Sequence, residues 1–151
     1  MPQSLASVKL HIVFSTKNRY PFLVNKEIRA EMHAYLGGIC KAQKCQPIIV
    51  GGVEDHVHIL CFLSRIITIA NLLQEIKASS SKWVKTKGSL LTKFSWQNGY
   101  GAFSVSEGHV KRVKNYIANQ EEHHRRRIFQ EEFRKFLDEN DIEYDERYVW
   151  D

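Results

Sequence analysis

The sequence predicts an α+β fold of ferredoxin-like type, an antiparallel sheet with helices packed on one face. Two observations carry this. Apolar residues alternate between period two and period 3.6 along the chain, in the order strand, helix, two strands, helix, strand, helix. The two middle strands are separated only by Glu54-Asp55, which reads as an antiparallel hairpin. With 151 residues, 43% of them hydrophobic, the chain is long enough to bury one core. It is read as a single domain, 1–151, in which 128–151 forms an acidic C-terminal helix and tail.

The elements follow in order. Val8, Leu10, Ile12 and Phe14 alternate with Lys9, His11 and Ser15, a half-buried strand. A basic loop, "TKNRYPF", comes next. From Asn25, a good N-cap, Ile28, Met32, Tyr35, Leu36 and Ile39 recur at helical spacing, and Gly37-Gly38 weakens or ends that helix. Pro47–Val53 and His56–Leu63 are the hairpin arms. Thr68 caps a helix through Lys85 with Ile69, Leu72, Leu73 and Ile76 on its buried side. A short strand lies near 94–103, interrupted by Gly99 and Gly101. Ser106 caps a long helix to about Arg127, and Ile128, Phe129, Phe133, Phe136 and Leu137 continue an apolar stripe beyond it.

Charge is divided along the chain. Residues 128–151 hold nine acids against three bases, a net of −6, so residues 1–127 carry +11 of the overall +5. A body that basic suits a polyanionic partner, of which nucleic acid is the commonest. No stretch approaches the roughly 18 apolar residues of a membrane span, and "MPQSLASVKL" has no signal-peptide pattern. Cys40, Cys45 and Cys61 lack metal-type spacing and read as reduced thiols of a cytoplasmic protein.

The chemistry concentrates in two places. In "GGVEDHVHIL", His56 and His58 are two apart on a strand, so both rings point to one face. That spacing alone leaves a metal site, an acid–base pair or two solvated rings open. In "EGHVKRVKNYIANQEEHHRRR", the stripe His109, Arg112, Tyr116, Gln120 and His123 runs beside the apolar face of Val110, Val113 and Ile117. Taken with the histidine pair, Gln120 makes a three-ligand metal site with open positions, and Tyr116 a nucleophile for a phosphodiester.

Five blocks, "HIVFSTKNRYPFL", "DHVHIL", "LLQEIKASSSKWV", "FSWQNGYGAFSVS" and "VKNYIANQEEH", occur in this order across residues 8–124. Together they resemble the single-tyrosine HUH transposases, which mobilise insertion sequences as single-stranded DNA. The resemblance implies that Tyr116 attacks a DNA phosphate, leaving a 5′-phosphotyrosine and a free 3′-OH. His56, His58 and Gln120 would hold Mg²⁺ or Mn²⁺. It also implies single-stranded DNA with hairpin ends as partner, and a homodimer whose active sites are completed across subunits. Two imidazoles and an amide are an unusual Mg²⁺ set, so weak metal affinity without DNA is expected, with Mn²⁺ preferred. Glu54 stands where many relatives have proline. Asp55 either approaches the metal, orients a neighbouring histidine or shapes the turn.

Lys17, Arg19, Lys82, Lys85, Lys87, Lys93 and Arg112 are the expected DNA contacts, with Trp83 and Trp96 either stacking on bases or filling the core. His11 is expected to be structural or exposed. Leu60 excludes a histidine-triad hydrolase, which needs a third histidine there. The rival from another class is a non-catalytic DNA-binding protein descended from a transposase.

Overall fold

Four strands, β1 (Lys9–Ser15), β2 (Pro47–Gly52), β3 (His56–Phe62) and β4 (Gly101–Ser104), form one antiparallel sheet in the order β2-β3-β1-β4. This is the ferredoxin-like arrangement, seen here in a computed structural model that describes residues 2–151. Helices α1 (Lys26–Ala42) and α2 (Ile69–Val84) start where the sequence places them. The Asn25 side chain accepts from the Glu27 and Ile28 N–H groups, and Thr68 Oγ1 accepts from Asn71 N–H. Gly37-Gly38 does not end α1. Cys40, one turn further on, is fully buried, and such packing offsets the glycines' cost of about 1 kcal/mol each.

Strand alternation divides the core. Leu10, Ile12, Phe14, Val57, Ile59 and Cys61 face α1 and α2, packing on Met32, Leu36, Leu72 and Ile76. Trp96 belongs to this core: its ring meets Phe14 edge-on at 4.8 Å and its Nε1 donates to Ser80 Oγ at 2.9 Å. Trp83 is half-buried and stacks on Tyr35 at 4.6 Å. The three cysteines are free and buried. Among the described residues no helix is long and apolar enough to cross a membrane.

The other sheet face carries His11, Val13, Ser15, His56 and His58, and here the expectation of helices on one face alone is corrected. The segments α3 (Val110–Ala118), α4 (Gln120–Arg126) and α5 (Phe129–Glu139) form a second layer. The apolar stripe of α5 needs a surface and finds one, Phe129, Phe133 and Leu137 packing with Val13 and Phe103. The acidic tail folds against it, with Tyr144, Val149 and Trp150 on the cluster and Glu146 bonded to Arg134 Nε at 2.6 Å.

Two further boundaries differ. The strand expected near 94–103 is β4 alone, preceded by a single bridge between Thr16 and Trp96. The long helix expected from Ser106 to Arg127 breaks at Asn119 (φ −105°, ψ 28°), whose side-chain amide donates to Asn115 O at 2.8 Å, a local bond that competes with the helical ladder.

The second layer lies close to the sheet because of two glycines. Gly51, His58, Val13 and Gly101 form one cross-strand row through all four strands. A Cβ on Gly51 would stand 2.7 Å from Ile117 O of α3, and one on Gly101 would stand 2.7 Å from the Phe133 ring of α5. Both helices therefore descend onto the sheet on either side of His58.

Candidate metal centre and tyrosine

His56 and His58 are fully buried, and each ring has its outer nitrogen held. His56 Nδ1 bonds Asp55 Oδ1 at 2.7 Å, and His58 Nδ1 meets His11 Nε2 at 2.8 Å. Asp55 thus takes the orienting role. Fixing Nδ1 in this way leaves both Nε2 atoms aimed at a common point, the usual preparation of a metal-ligating histidine.

The break at Asn119 re-aims the chain so that the first residue of α4, Gln120, is buried with its Oε1 3.0 Å from His56 Nε2. From α5 comes a carboxylate, Glu132, only 2% exposed. Its Oε1 lies 2.6 Å from His58 Nε2 and 3.5 Å from His56 Nε2. Tyr116 is half-buried on the preceding helix, its ring 5.8 Å from that of His58 and stacked on His123 at 4.4 Å. An open cleft of about 630 Å³ leads to Tyr116 and Glu132, with Arg112 and Lys135 on its walls.

The electrostatics are those of a tightly coupled site. Burial alone would lower the His56 pKa, but the Asp55 and Glu132 carboxylates overcome it and raise it to about 9. For His58 burial prevails and the pKa falls. Burial opposes charge on Glu132 too, yet the two imidazoles hold its carboxyl well below the usual range. Burial, then the Glu132 charge, pushes the Tyr116 phenol above its ordinary value. His11 drops to about 3, mainly through burial and then through its contact with His58.

Residues 4–120 match the family described as IS200-like transposases. The chain belongs to that family. Two solved structures share its fold. One is a candidate transposase from Deinococcus radiodurans R1, 21% identical, with 80% of this chain and 95% of that one aligned at a TM-score of 0.62. The other is a REP-associated tyrosine transposase bound to a REP hairpin, 12% identical, with 82% and 72% aligned at 0.60. No curated protein matches the chain.

Membership makes this IS200-like transposase part of a DNA-processing class and implies a divalent metal. The donors present fit one. His58 Nε2 and Glu132 Oε1 are buried and without a hydrogen-bond partner although only 2.6 Å apart. Buried donor atoms this close, one of them a carboxylate oxygen, offer a cation ligands of the right kind. The atoms of His56, His58 and Glu132 all lie within 4.8 Å of one another.

The structure thus brings together His56, His58, Tyr116 and Gln120 of this transposase. Of the expected DNA contacts, only Arg112 lines the cleft. Lys17 and Arg19 lie on a turn after β1, Arg19 over the Trp150 ring at 5.9 Å. Lys82 and Lys85, at the end of α2, are exposed on the layer away from the histidines, as is Lys93 in the loop that follows. Lys87 pairs with Glu31 at 3.3 Å. Sequence reasoning leaves His11 as structural or exposed, and it is buried against His58; Glu132 is not singled out at all. The signal was present for both: an imidazole inside "LHIVF", and a carboxylate within the stripe Phe129, Glu132, Phe133, Phe136.

Proposed function

We propose that this transposase cleaves and rejoins single-stranded DNA at hairpin-flanked ends, with Tyr116 as the nucleophile. The observation that carries the reading is the meeting of Tyr116 and Gln120 with the His56–His58 pair, a constellation that a binding module does not need. The Tyr116 oxygen bonds to phosphorus, the bond to the 3′ oxygen breaks, and that oxygen takes up a proton while the phenol gives one up. The 5′-phosphotyrosine conserves the energy of the broken diester, so an incoming 3′-OH can reverse the step on a new strand.

His56, His58 and Gln120 would hold Mg²⁺ or Mn²⁺, which when bound would polarise the scissile phosphate and offset its developing charge. The protein's own groups do the rest. His123 stacks on the Tyr116 ring and fixes its plane. Arg112 places a positive charge at the cleft for the DNA backbone. Lys17, Arg19, Lys82, Lys85, Lys87 and Lys93 supply further basic surface for a folded substrate. Residues 1–151 act as one unit, and hairpin recognition is carried over from the related structure bound to one.

Single-stranded oligonucleotides from both flanks of the protein's own gene, incubated with Mn²⁺ or Mg²⁺, test this. A denaturation-resistant protein–DNA adduct is expected with single strands only and with metal only, and Tyr116→Phe abolishes it while binding survives. Tight binding without any adduct would support the non-catalytic descendant instead.

A further inference from the structure

We infer that Glu132 is a direct ligand of the divalent metal, the one carboxylate in its shell, supplied by a helix beyond the family match. The inference rests on the metal-centre reading above and adds to it a donor on α5, twelve residues beyond Gln120 and outside residues 4–120.

A carboxylate buried beside Phe129 and Phe133 is strongly unfavourable unless its charge is compensated. Compensation here has an unusual form. Glu132 Oε1 approaches His58 Nε2 to 2.6 Å and His56 Nε2 to 3.5 Å, yet it has no hydrogen-bond partner, and neither has His58 Nε2. Gln120 Oε1 completes the group, 3.0 Å from His56 Nε2. Adjacent donors on an ion with bonds of about 2.1 Å lie about 3 Å apart. The contacts that link the four donors, 2.6, 3.0 and 3.5 Å, bracket that spacing, and the donors come from β3, α4 and α5.

The outer nitrogens of both histidines are already engaged, by Asp55 and His11, so Nε2 is the atom each has left to offer. A carboxylate also changes what the site prefers. Two imidazoles and an amide are neutral, whereas one charged oxygen donor moves the set towards the oxygen-rich shells that Mn²⁺ and Mg²⁺ favour. The expectation of weak affinity without DNA is thereby revised: the protein alone is able to hold Mn²⁺.

Mn²⁺ binding to the full chain without DNA, followed by loss of the free-ion electron paramagnetic resonance signal, is the test. Circular dichroism checks that each variant is folded. Wild type binds, Glu132→Gln binds at least tenfold more weakly, and Glu132→Asp, which keeps the charge but is shorter by one methylene, falls between them. His58→Ala marks the centre by losing binding. If Glu132→Gln and Glu132→Asp both bind like wild type while His58→Ala does not, Glu132 is no ligand and the metal centre stands without it. If wild type itself takes up no Mn²⁺, the centre and this inference fail together, while the tyrosine adduct tests the nucleophile separately. Should Glu132→Gln not fold, the Asp variant decides the matter: undiminished Mn²⁺ binding in it overturns the assignment.

Discussion

At the scale of single residues, the two histidines of β3 differ in what holds them. His56 leans on a carboxylate one residue away, a neighbour any reading of the sequence can see. His58 leans on His11, 47 residues distant in the chain and brought alongside by the pairing of β1 with β3. With Nε2 of His58 left free, its Nδ1–H donates to a neutral His11, and burial keeps His11 neutral. Replacing His11 with leucine removes that acceptor and lets the His58 ring turn. The expected result is a 10–100-fold loss of Mn²⁺ affinity with His56 and His58 both intact, measurable by the same titration. Asparagine, able to accept at a similar place, is expected to recover part of it.

Among the elements, the break between α3 and α4 matters most. In a continuous helix Tyr116 and Gln120 would sit one above the other on a single flank. The break lets Tyr116 face the cleft while Gln120 is buried against His56. Asn119→Ala removes the side-chain bond to Asn115 O and favours an unbroken helix, since alanine is the better helix former by roughly half a kcal/mol. Thermal stability is expected to stay level or rise slightly while Mn²⁺ binding weakens several-fold, a split that a general loss of structure would not give. The break also shows what was legible beforehand. Asn25, Thr68 and the paired histidines are local signals that lead to the right element, whereas the Tyr116–Gln120 spacing finds the right residues on a helix that is in fact two. The partnership of Glu132 with His58 is not local. A sequence shows a carboxylate in an apolar stripe, but only the folding of α5 onto the sheet shows what that carboxylate faces.

For the molecule as a whole, buried titratable groups set a pH dependence. His33 in α1 falls to about 4, through burial and then the neighbouring Arg29 charge, and His11 falls to about 3. Both resist protonation in the fold but accept it freely in the unfolded chain. Stability is therefore lost as pH drops from about 6.5 towards 4. The depressed Glu132 acts in the same direction at still lower pH. His56 acts oppositely: raised to about 9 without metal, it contributes stability below about 6.5 that is lost as pH climbs through 9. Chelator-treated protein is thus expected to be most stable near pH 6.5 in thermal melts. His33→Gln should flatten the acid side, by an amount on the order of 1 kcal/mol. A maximum displaced well into the alkaline range would contradict these assignments.

The row of Gly51, His58, Val13 and Gly101 carries a last implication, about inheritance. Reactive residues are what a genome survey counts when it decides whether such a gene is alive. Yet the clearance on either side of His58 depends on two hydrogen atoms, at Gly51 and Gly101, where any other amino acid would bring a carbon. A lineage can lose the close seating of Ile117 or Phe133 by a single nucleotide change at either codon and keep His56, His58, Tyr116, Gln120 and Glu132 unaltered. Descendants of this gene that look intact by their chemistry can be silent by their geometry.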